Sequence, residues 1–478
     1  MESSPRFFFF PLLFMAAAAF CNAHIAEFDE YWQKKEASAR TNVQNAYNPD
    51  PESVTKHFND AVLKELEKNT TRRGLRGKRT AGGPCMATNP IDRCWRCQKN
   101  WGHHRKRLAS CAKGFGRHVT GGKNGDFYVV TDPSDEDLVS PRNGTLRYGV
   151  IQDRPLWIVF ARNMVIRLSE ELIVNSNKTI DGRGVDVQIM NGAGITIQYV
   201  DNVIIHNLRI HDIKTGSGGM IRDSEHHYGL RTRSDGDGIS IFGASNVWID
   251  HVSMSNCMDG LIDAIQGSTA ITISNSHFTQ HNDVRQISPT PTPAPSISHT
   301  DRTVCSRSQS PSTTSGKASF RECQGHRSRS HIRRPLLHDI SSPSLCIHSR
   351  TFLLRRCRWG FVHVVNNDYT HWMMYAIGGS QHPTILSQGN RFIAPPTLFA
   401  KEVKLVTKRE YSPEEVWKNW HWRSEGDLLK NGAFFVPSGA GKFGNVSYKD
   451  LIKAKPGTFV TRLTRFSGAL KCVPNRPC

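Results

Sequence analysis

The stretch Ser234–Ser268 reads SDGDGISIFGASNVWIDHVSMSNCMDGLIDAIQGS, and it decides how the rest of the chain is interpreted. It contains two short runs of mostly β-branched and aromatic residues, Ile239–Phe242 and Val247–Ile249. Each run is followed by Gly, Asn or Asp, and short runs bounded by such residues are typical of β-strands. This stretch therefore predicts two strands, each ending in a turn.

Acidic residues lie at or near the ends of these predicted strands. They are Asp235, Asp237, Asp259 and Asp263. Several carboxylates brought to one place, with only oxygen ligands, favour a hard cation such as Ca²⁺ over zinc or copper. The competing interpretation is that D-G-D-G forms only a turn, because Asp and Gly dominate turns in general.

A similar strand-and-turn unit recurs along the chain from Ala81 onward. Examples are IIHNLRI (204–210), WIDHVSM (248–254), TISNSHF (272–278) and HVVNNDY (363–369). Asp250 and Ser274 occupy the same place in two units and are one repeat of 24 residues apart. A period in the twenties predicts an all-β solenoid, one unit per turn, with asparagine tolerating left-handed backbone and forming a ladder along the stack. An antiparallel sandwich is the competing fold, but it would need hairpin turns such as N-G.

Large and titratable side chains in these units are interpreted as structural. Trp248 and Phe242 are expected to pack rather than to form platforms for a substrate. Four histidines are expected to be turn or stack residues rather than catalysts: His206, His211, His251 and His281.

The N-terminus, residues 1–23, is typical of a secretory signal peptide, with Arg6 followed by a short apolar run and small residues. The run is too short for a membrane span, so we expect a secreted, soluble monomer that is not bound to membranes. Four N-x-S/T sites are compatible with glycosylation: Asn69, Asn143, Asn177 and Asn445. The net charge of +20 implies affinity for polyanions, and an exported protein meets acidic polysaccharide rather than nucleic acid.

Cysteine usage also favours an oxidising compartment. Outside the signal and the basic stretch described below, eight cysteines remain: Cys85, Cys94, Cys97, Cys111, Cys257, Cys357, Cys472 and Cys478. An even set suits structural disulfides, whose pairing the sequence leaves open. Zinc binding by Cys94 and Cys97 lacks a second ligand pair.

Residues 24–80 form a separate N-terminal segment. Apolar residues at Val54, Phe58, Val62 and Leu66 have helical spacing. The basic stretch 72–79 that follows is either a solvated linker or a processing site that releases the segment.

Several long motifs resemble those of plant pectate lyases. They are WIDH (248–251), DGLID (259–263), GSTAITISN (267–275), VNNDYTHW (365–372), YAIGGS (375–380) and WRSEGD (422–427). The sequence from His24 also resembles the N-terminal segment of the pollen-type members. The resemblance implies a right-handed parallel β-helix over residues 81–478 and β-elimination of polygalacturonan, with Ca²⁺ as cofactor.

The resemblance also implies roles for individual residues. Asp235, Asp259 and Asp263 match the family's calcium ligands, and Asp237 is a plausible extra ligand. Arg358 matches the residue that pairs with a substrate carboxylate. Leu353 falls where the family has its arginine base.

The family pattern breaks over residues 285–356. This stretch is rich in Ser, Pro, Arg and His, and it holds 12 Lys/Arg against 3 Asp/Glu. Such a composition predicts disorder, and we expect no strand between Ile287 and Ser349. The abrupt boundaries favour a misread gene model over a genuine surface insertion.

Two functions of different classes follow from this departure. The first is a calcium-dependent pectate lyase of the cell wall. The second is a catalytically impaired protein that binds pectate without cleaving it. A polygalacturonase on a similar solenoid is disfavoured, because the sequence has no G-H-G or N-T-D motif.

Overall fold

The computed structural model describes residues 29–46, 85–281, 345–350, 354–357, 360–370, 372, 375–380, 382–396, 404–439 and 454–478. The predictions for the signal segment, the helix around Phe58, the basic stretch 72–79, and for Leu353 and Arg358 lie outside these ranges. None of the helices in these ranges has the length and apolar character of a membrane-spanning helix.

Short strands account for most of the regular structure. They are β1 (Asp126–Val130), β2 (Leu156–Phe160), β3 (Met164–Ile166), β4 (Leu172–Ile173), β5 (Lys178–Asp181), β6 (Val187–Met190), β7 (Ile195–Gln198), β8 (Asp201–His206), β9 (Arg209–His211), β10 (Gly219–Arg222), β11 (Tyr228–Arg231), β12 (Ile239–Phe242), β13 (Ser245–Asp250), β14 (Ser253–Ser255), β15 (Ile262–Ile265), β16 (Thr269–Thr279), β17 (Leu345–Arg350), β18 (Leu354–Cys357), β19 (Phe361–Val365), β20 (Asp368–Thr370), β21 (Ile377–Gly379), β22 (Thr384–Gln388), β23 (Arg391–Ile393), β24 (Thr407–Arg409), β25 (Trp422–Glu425) and β26 (Leu428–Lys430).

Helices are few and mostly short. Helix α1 spans Glu30–Ala46, and the other α-helices are Pro90–Trp95, Leu146–Val150, Glu414–Trp417 and Val460–Leu463. Two 3₁₀-helices span Arg105–Cys111 and Gly457–Phe459. The predicted all-β class with a short helical N-terminal segment is confirmed.

The strands stack in parallel, one coil above the next. Val203, Val247 and Ile271 align on β8, β13 and β16, and Asp250 pairs with Ser274 at the predicted separation of 24 residues. Among the described strands only the β10–β11 hairpin is antiparallel. A four-stranded sheet of β4, β7, β12 and β15, here called the front sheet, forms one face of the stack. The chain is therefore a parallel β-helix.

The interior of the stack is filled by aliphatic side chains. Ile195, Ile197, Ile239 and Ile241 are fully buried in one continuous core. Each buried aliphatic side chain stabilises the fold by roughly 1.5–3 kcal/mol. The alternate residues of the same strands necessarily face outward.

Asparagines in left-handed backbone form the predicted ladder. Asn177 and Asn202 have φ values of 59° and 64°, and Asn202 Nδ2 donates to Asn177 Oδ1 at 2.7 Å. Asn275 lies at a turn elsewhere in the β-helix. It also has a positive φ, and its side-chain amide donates to Asp250. Asparagine tolerates this conformation, and its amide joins one coil to the next.

A disulfide-linked segment covers the outside of the stack. Cys85–Cys97, Cys94–Cys111 and Cys472–Cys478 are bonded. The segment buries Trp248, whose packing role is thereby confirmed.

Cys257 and Cys357 do not join this framework and are unpaired, buried thiols in the described part of the chain. Both lie in the aliphatic core, where burial raises the pKa of each thiol to about 12. Although the eight cysteines form an even set, only six of them form disulfides in the described part of the chain.

The expectation of no strand before Ser349 is wrong at Leu345–Arg350. This segment forms β17, which pairs in parallel with β16 on one side and β19 on the other. A short strand flanked by two partners obtains its hydrogen bonds from the stack and needs little local propensity. Residues 285–344 lie outside the described ranges.

Candidate functional site

The front sheet presents a row of polar residues to the outside. Ile239 and Ile241 of β12 enter the core, so Ser240 between them faces outward. Ser240 aligns with Thr196 on β7 and with Asp263 on β15. Parallel stacking thus brings side chains from distant parts of the sequence into one row.

Three carboxylates meet beside this row. Asp235, Asp237 and Asp259 each offer an oxygen, and these oxygens lie within 4.8 Å of one another. Asp235 and Asp237 flank Gly236, whose φ of 103° is a conformation that favours glycine, and lie just before β12. Asp259 precedes β15 on the next coil. The structure therefore brings two of the predicted ligands, Asp235 and Asp259, together.

Asp237 is the buried member of this group. Its Oδ1 accepts from the backbone N–H of Gly260 at 2.6 Å, and its Oδ2 accepts from the Ser240 hydroxyl at 3.0 Å. Burial, followed by the charges of Asp263, Asp235 and Asp259, raises the pKa of Asp237 to about 9. Carboxylates gathered this closely resist simultaneous ionisation.

Asp263 lies beside Asp237 rather than within the group of three. A Cβ atom added at Gly260 would lie 2.6 Å from Asp263 Oδ1 and 2.7 Å from Asp237 Oδ1. A side chain at this position would therefore displace one or both carboxylates. The sequence predicts Asp237 only as an extra ligand, whereas in the structure the charges of the other three carboxylates all act on it.

The donor set fits a hard divalent cation. All four side chains offer carboxylate oxygen, and one of them is buried with its pKa raised by its neighbours. Oxygen-only sets suit Ca²⁺, and a bound cation would offset the repulsion that raises this pKa. We call Asp235, Asp237, Asp259 and Asp263 the acidic cluster.

A second group of possible metal-binding side chains differs from the acidic cluster in burial. Asp153, Glu225 and His226 also bring ligand atoms within 4.8 Å of one another, but all three residues are exposed. Asp153 accepts from Asn175 Nδ2 at 3.0 Å, so it already has a partner within the chain. Exposed acidic groups of this kind are common without a metal, and we assign no site there.

Known proteins resemble this chain over its full length. A pectate lyase of Lilium longiflorum is 56% identical over 473 residues, covering 99% of each chain. The probable pectate lyase P59 of Solanum lycopersicum is 51% identical over 484 residues, covering 99% and 98%. The chain belongs to the plant pectate lyase family.

Two family models and one solved structure agree with this assignment. The pectate lyase N-terminus model matches residues 24–75 and the pectate lyase model matches residues 166–290, which includes the acidic cluster. The crystal structure of jun a 1, the major allergen from cedar pollen, is similar with a TM-score of 0.63 and 36% identity. The match covers 80% of this chain and all of that one. The parallel β-helix is therefore the fold of the family.

The arginine motif expected of a pectate lyase lies largely outside the described residues. Arg358 and Leu353 are not described. Leu354–Cys357 forms strand β18, and of its side chains only that of Cys357 is described. Strand β18 pairs in parallel with β21. The roles of Arg358 and Leu353 stay predictions.

Proposed function

We propose that this pectate lyase family member cleaves de-esterified polygalacturonan by β-elimination in a calcium-dependent reaction. The observation that carries the proposal is the acidic cluster. Its residues lie on adjacent coils and converge on one face of the front sheet. The relatives named above support the activity, and the cluster supports the cofactor.

Charge explains why a cation belongs at this site. Polygalacturonan is a polymer of carboxylates, so an acidic cluster would repel it unless a cation lies between the two. The acidic cluster would hold the Ca²⁺, and a cation held there would attract the substrate carboxylates and supply Lewis-acid stabilisation of charge that develops on the substrate. The chain's excess of Lys and Arg provides a second, longer-range attraction for the polymer.

The cluster residues have distinct tasks in this proposal. Asp235, Asp259 and Asp263 are partly or fully exposed and would hold the ion at the open side of the site. Asp237 is buried and is held by Gly260 and Ser240, so it would fix the position of the ion from beneath. Arg358 would pair with a substrate carboxylate through its guanidinium group.

The test measures formation of the unsaturated product by its absorbance, with and without a chelator. We expect product that disappears with the chelator, and an Asp259→Asn variant with at least tenfold weaker calcium binding by calorimetry. Asp153→Asn is the matched control, since Asp153 belongs to the exposed acidic group and should change neither quantity. Product formation that is indifferent to the chelator would contradict calcium dependence.

Leu353 favours a second candidate, a wall protein that binds pectate but does not cleave it. The family places an arginine base where this chain has leucine, and leucine cannot accept a proton. In that case the parent chain binds polygalacturonan with calcium and yields no product, while Leu353→Arg gains product formation. Product formation by the parent chain would exclude this candidate.

The site of action is proposed to be extracellular, at the cell wall, for a secreted monomer. The signal-like N-terminus and the acidic polysaccharide substrate support this location. N-terminal sequencing of the exported protein would test both the signal cleavage and the processing at residues 72–79.

A further inference from the structure

Strand β1 gives the first coil of the β-helix an open edge. Among the described strands, β1 pairs only with β2. The carbonyl oxygen of Val130 accepts from the backbone N–H of Ala161, on the β2 side, at 2.9 Å. Alternate residues of a parallel strand direct their backbone groups to opposite neighbours. The backbone groups of Phe127 and Val129 therefore point away from β2, towards the edge of the sheet.

The same two residues also expose apolar side chains. Tyr128 and Val130 enter the core, so Phe127 and Val129 face outward, and they are 50% and 46% exposed. The ammonium group of Lys106 lies 4.9 Å from the centroid of the Phe127 ring and leaves half of that side chain in contact with water. Exposed apolar edge strands pair with other chains, and the ends of solenoid stacks need caps. The open edge of β1 therefore needs a cover.

A turn over residues 142–145 lies at one end of this edge. The carbonyl oxygen of Gly144 accepts from the backbone N–H groups of Thr131 and Asp132, just beyond β1, at 2.9 and 3.1 Å. Asp132 and Thr145 form an isolated parallel bridge. The turn thus continues the stack past the end of β1 and leaves the strand itself uncovered.

This turn contains one of the N-x-S/T sites, Asn143. The asparagine is exposed, whereas Thr145 of the same site is buried and caps the helix Leu146–Val150. The backbone N–H of Gly144 donates to the hydroxyl of Tyr128 at 2.7 Å, and that hydroxyl donates to the carbonyl oxygen of Thr145 at 2.9 Å. The turn is therefore fixed to β1, with the asparagine side chain on the outside.

Asn143 lies close to the uncovered strand. Its neighbour Gly144 bonds to Thr131, and Val129 precedes Thr131 by two residues, or about 7 Å of extended strand. A Cβ atom added at Gly144 would lie 2.8 Å from the hydroxyl of Thr131. A chain of several sugars attached to Asn143 is long enough to lie over the outward side of β1.

The N-x-T site at Asn177 is enclosed instead. Asn177 is half-buried, and its Oδ1 accepts from Asn202 Nδ2 at 2.7 Å within the asparagine ladder. Thr179 of the same site is fully buried, and its hydroxyl accepts from the backbone N–H of Gly122 at 3.0 Å. An oligosaccharide on Asn177 would displace both the ladder and the loop that contains Gly122.

We propose that Asn143 carries an N-linked oligosaccharide that covers the open edge of β1, whereas Asn177 stays unmodified. In the transfer, Asn143 Nδ2 forms a bond to the anomeric carbon of the first sugar and loses a proton. The bond from that carbon to the diphosphate of a lipid-linked oligosaccharide donor breaks, and the lipid diphosphate leaves. The inference rests on the secreted location proposed above, because this donor belongs to the export route. The hydrated sugars shield Phe127 and Val129 and keep a second copy of the chain away from the edge.

The first test determines which sites are occupied in the full chain exported from eukaryotic cells. Enzymatic removal of N-linked sugars converts each occupied asparagine to aspartate, which peptide mass spectrometry detects site by site. We expect this conversion at Asn143 and none at Asn177. The sites at Asn69 and Asn445, which lie outside the described residues, are read separately in the same digest. An unmodified Asn143 or a modified Asn177 in the exported chain would overturn the inference.

The second test measures what the sugars do at the edge. The Asn143→Gln variant should associate through β1, raising the mean mass in light scattering by about twofold if two copies pair. Removal of the sugars from the folded parent should do the same without any substitution. Asn124→Gln is the matched control, because Asn124 is also exposed and lies just before β1 but is not in an N-x-S/T site. This control should keep the mass of the parent.

A charge placed on the edge identifies the associating surface. Adding Val129→Lys to Asn143→Gln should restore the mass of the parent, because an outward lysine on an edge strand opposes pairing. An Asn143→Gln variant that does not associate, or association that persists with Val129→Lys, would show that the sugars do not cover this edge. None of these outcomes depends on cleavage of polygalacturonan, so the inference and the proposed activity fail separately.

Discussion

Two regions of the molecule bury aspartates and treat them in opposite ways. In the disulfide-linked segment, Asp92 accepts from Arg96 at 2.6 Å and lies 2.7 Å from His251 of the stack. Although burial by itself would raise it, these charges hold the pKa of Asp92 at about 2. In the acidic cluster, burial and three neighbouring carboxylates raise the pKa of Asp237 to about 9.

This difference shows what distinguishes a structural carboxylate from one that can bind a cation. Asp92 has its charge balanced by side chains of the same chain, as has Asp181, which accepts from Arg183 and Arg105. Asp237 receives hydrogen bonds from a backbone N–H and a hydroxyl, while the groups that act on its pKa by charge are carboxylates. The charges of Asp92 and Asp181 are balanced within the chain, whereas the acidic cluster is suited to binding a cation from solution.

The largest expected effect comes from removing the buried negative charge of Asp92. Asp92→Asn would leave the buried Arg96 and His251 without their anion. We expect the free energy of unfolding to fall by about 3–5 kcal/mol, because a buried charge then lacks its partner. Urea denaturation measures this change, and a loss below about 1 kcal/mol would show that Asp92 is not needed for stability.

Calcium should stabilise the parent chain through the acidic cluster. At a free calcium concentration of one hundred times Kd, the free energy of unfolding should rise by about 2.7 kcal/mol. The Asp235→Asn variant should lose most of this gain, because it replaces a negatively charged carboxylate ligand with a neutral amide. The comparison is made by denaturation with calcium and with a chelator, and an equal gain in both chains would place the ion elsewhere.

The pH dependence of the calcium-free protein should differ between parent and Asp237→Asn. A carboxyl whose pKa is raised in the fold stabilises the fold fully below its unfolded pKa of 3.8, and this stability is lost as the pH rises through about 9. Relative to Asp237→Asn, the parent should therefore lose stability by about 1 kcal/mol per pH unit between pH 5 and pH 8. Parallel stability curves for the two chains would contradict this.

The smallest effect is expected at an aspartate paired in solvent. Asp126 and Arg154 form an ion pair at 3.1 Å, with side chains 82% and 56% exposed. Asp126→Asn should change the free energy of unfolding by less than about 1 kcal/mol, because water screens the pair. Measured beside Asp92→Asn, it shows whether burial, rather than ion pairing as such, produces the large loss.

Much of the fold follows from local patterns in the sequence. The 24-residue separation of Asp250 and Ser274 is the observed register, and the asparagine ladder is present at Asn177 and Asn202. Local composition does not predict strand β17, because its stability comes from the strands on either side. Cys257 and Cys357 were grouped with the disulfides because counting cysteines carries no information on distance.

For the candidate site, too, some features could be predicted from the sequence and others only from the structure. The acidic residues around Gly236 and Gly260 are visible as turn motifs, so their residue numbers could be predicted. That Asp237 is the buried member, and that helix α1 packs beside the same sheet through Trp32, could not be predicted. Both depend on which residues from different coils come to lie next to each other.

Sequence alone determines the coil repeat, the turns and the residues able to bind a cation, because these depend on neighbours within a few positions along the chain. Tertiary structure decides which carboxylates are paired, which pKa values rise or fall, and which outward positions of the front sheet are exposed. The physical reason is that burial and electrostatic interactions depend on distance in space, and the coils of the β-helix bring together residues tens of positions apart.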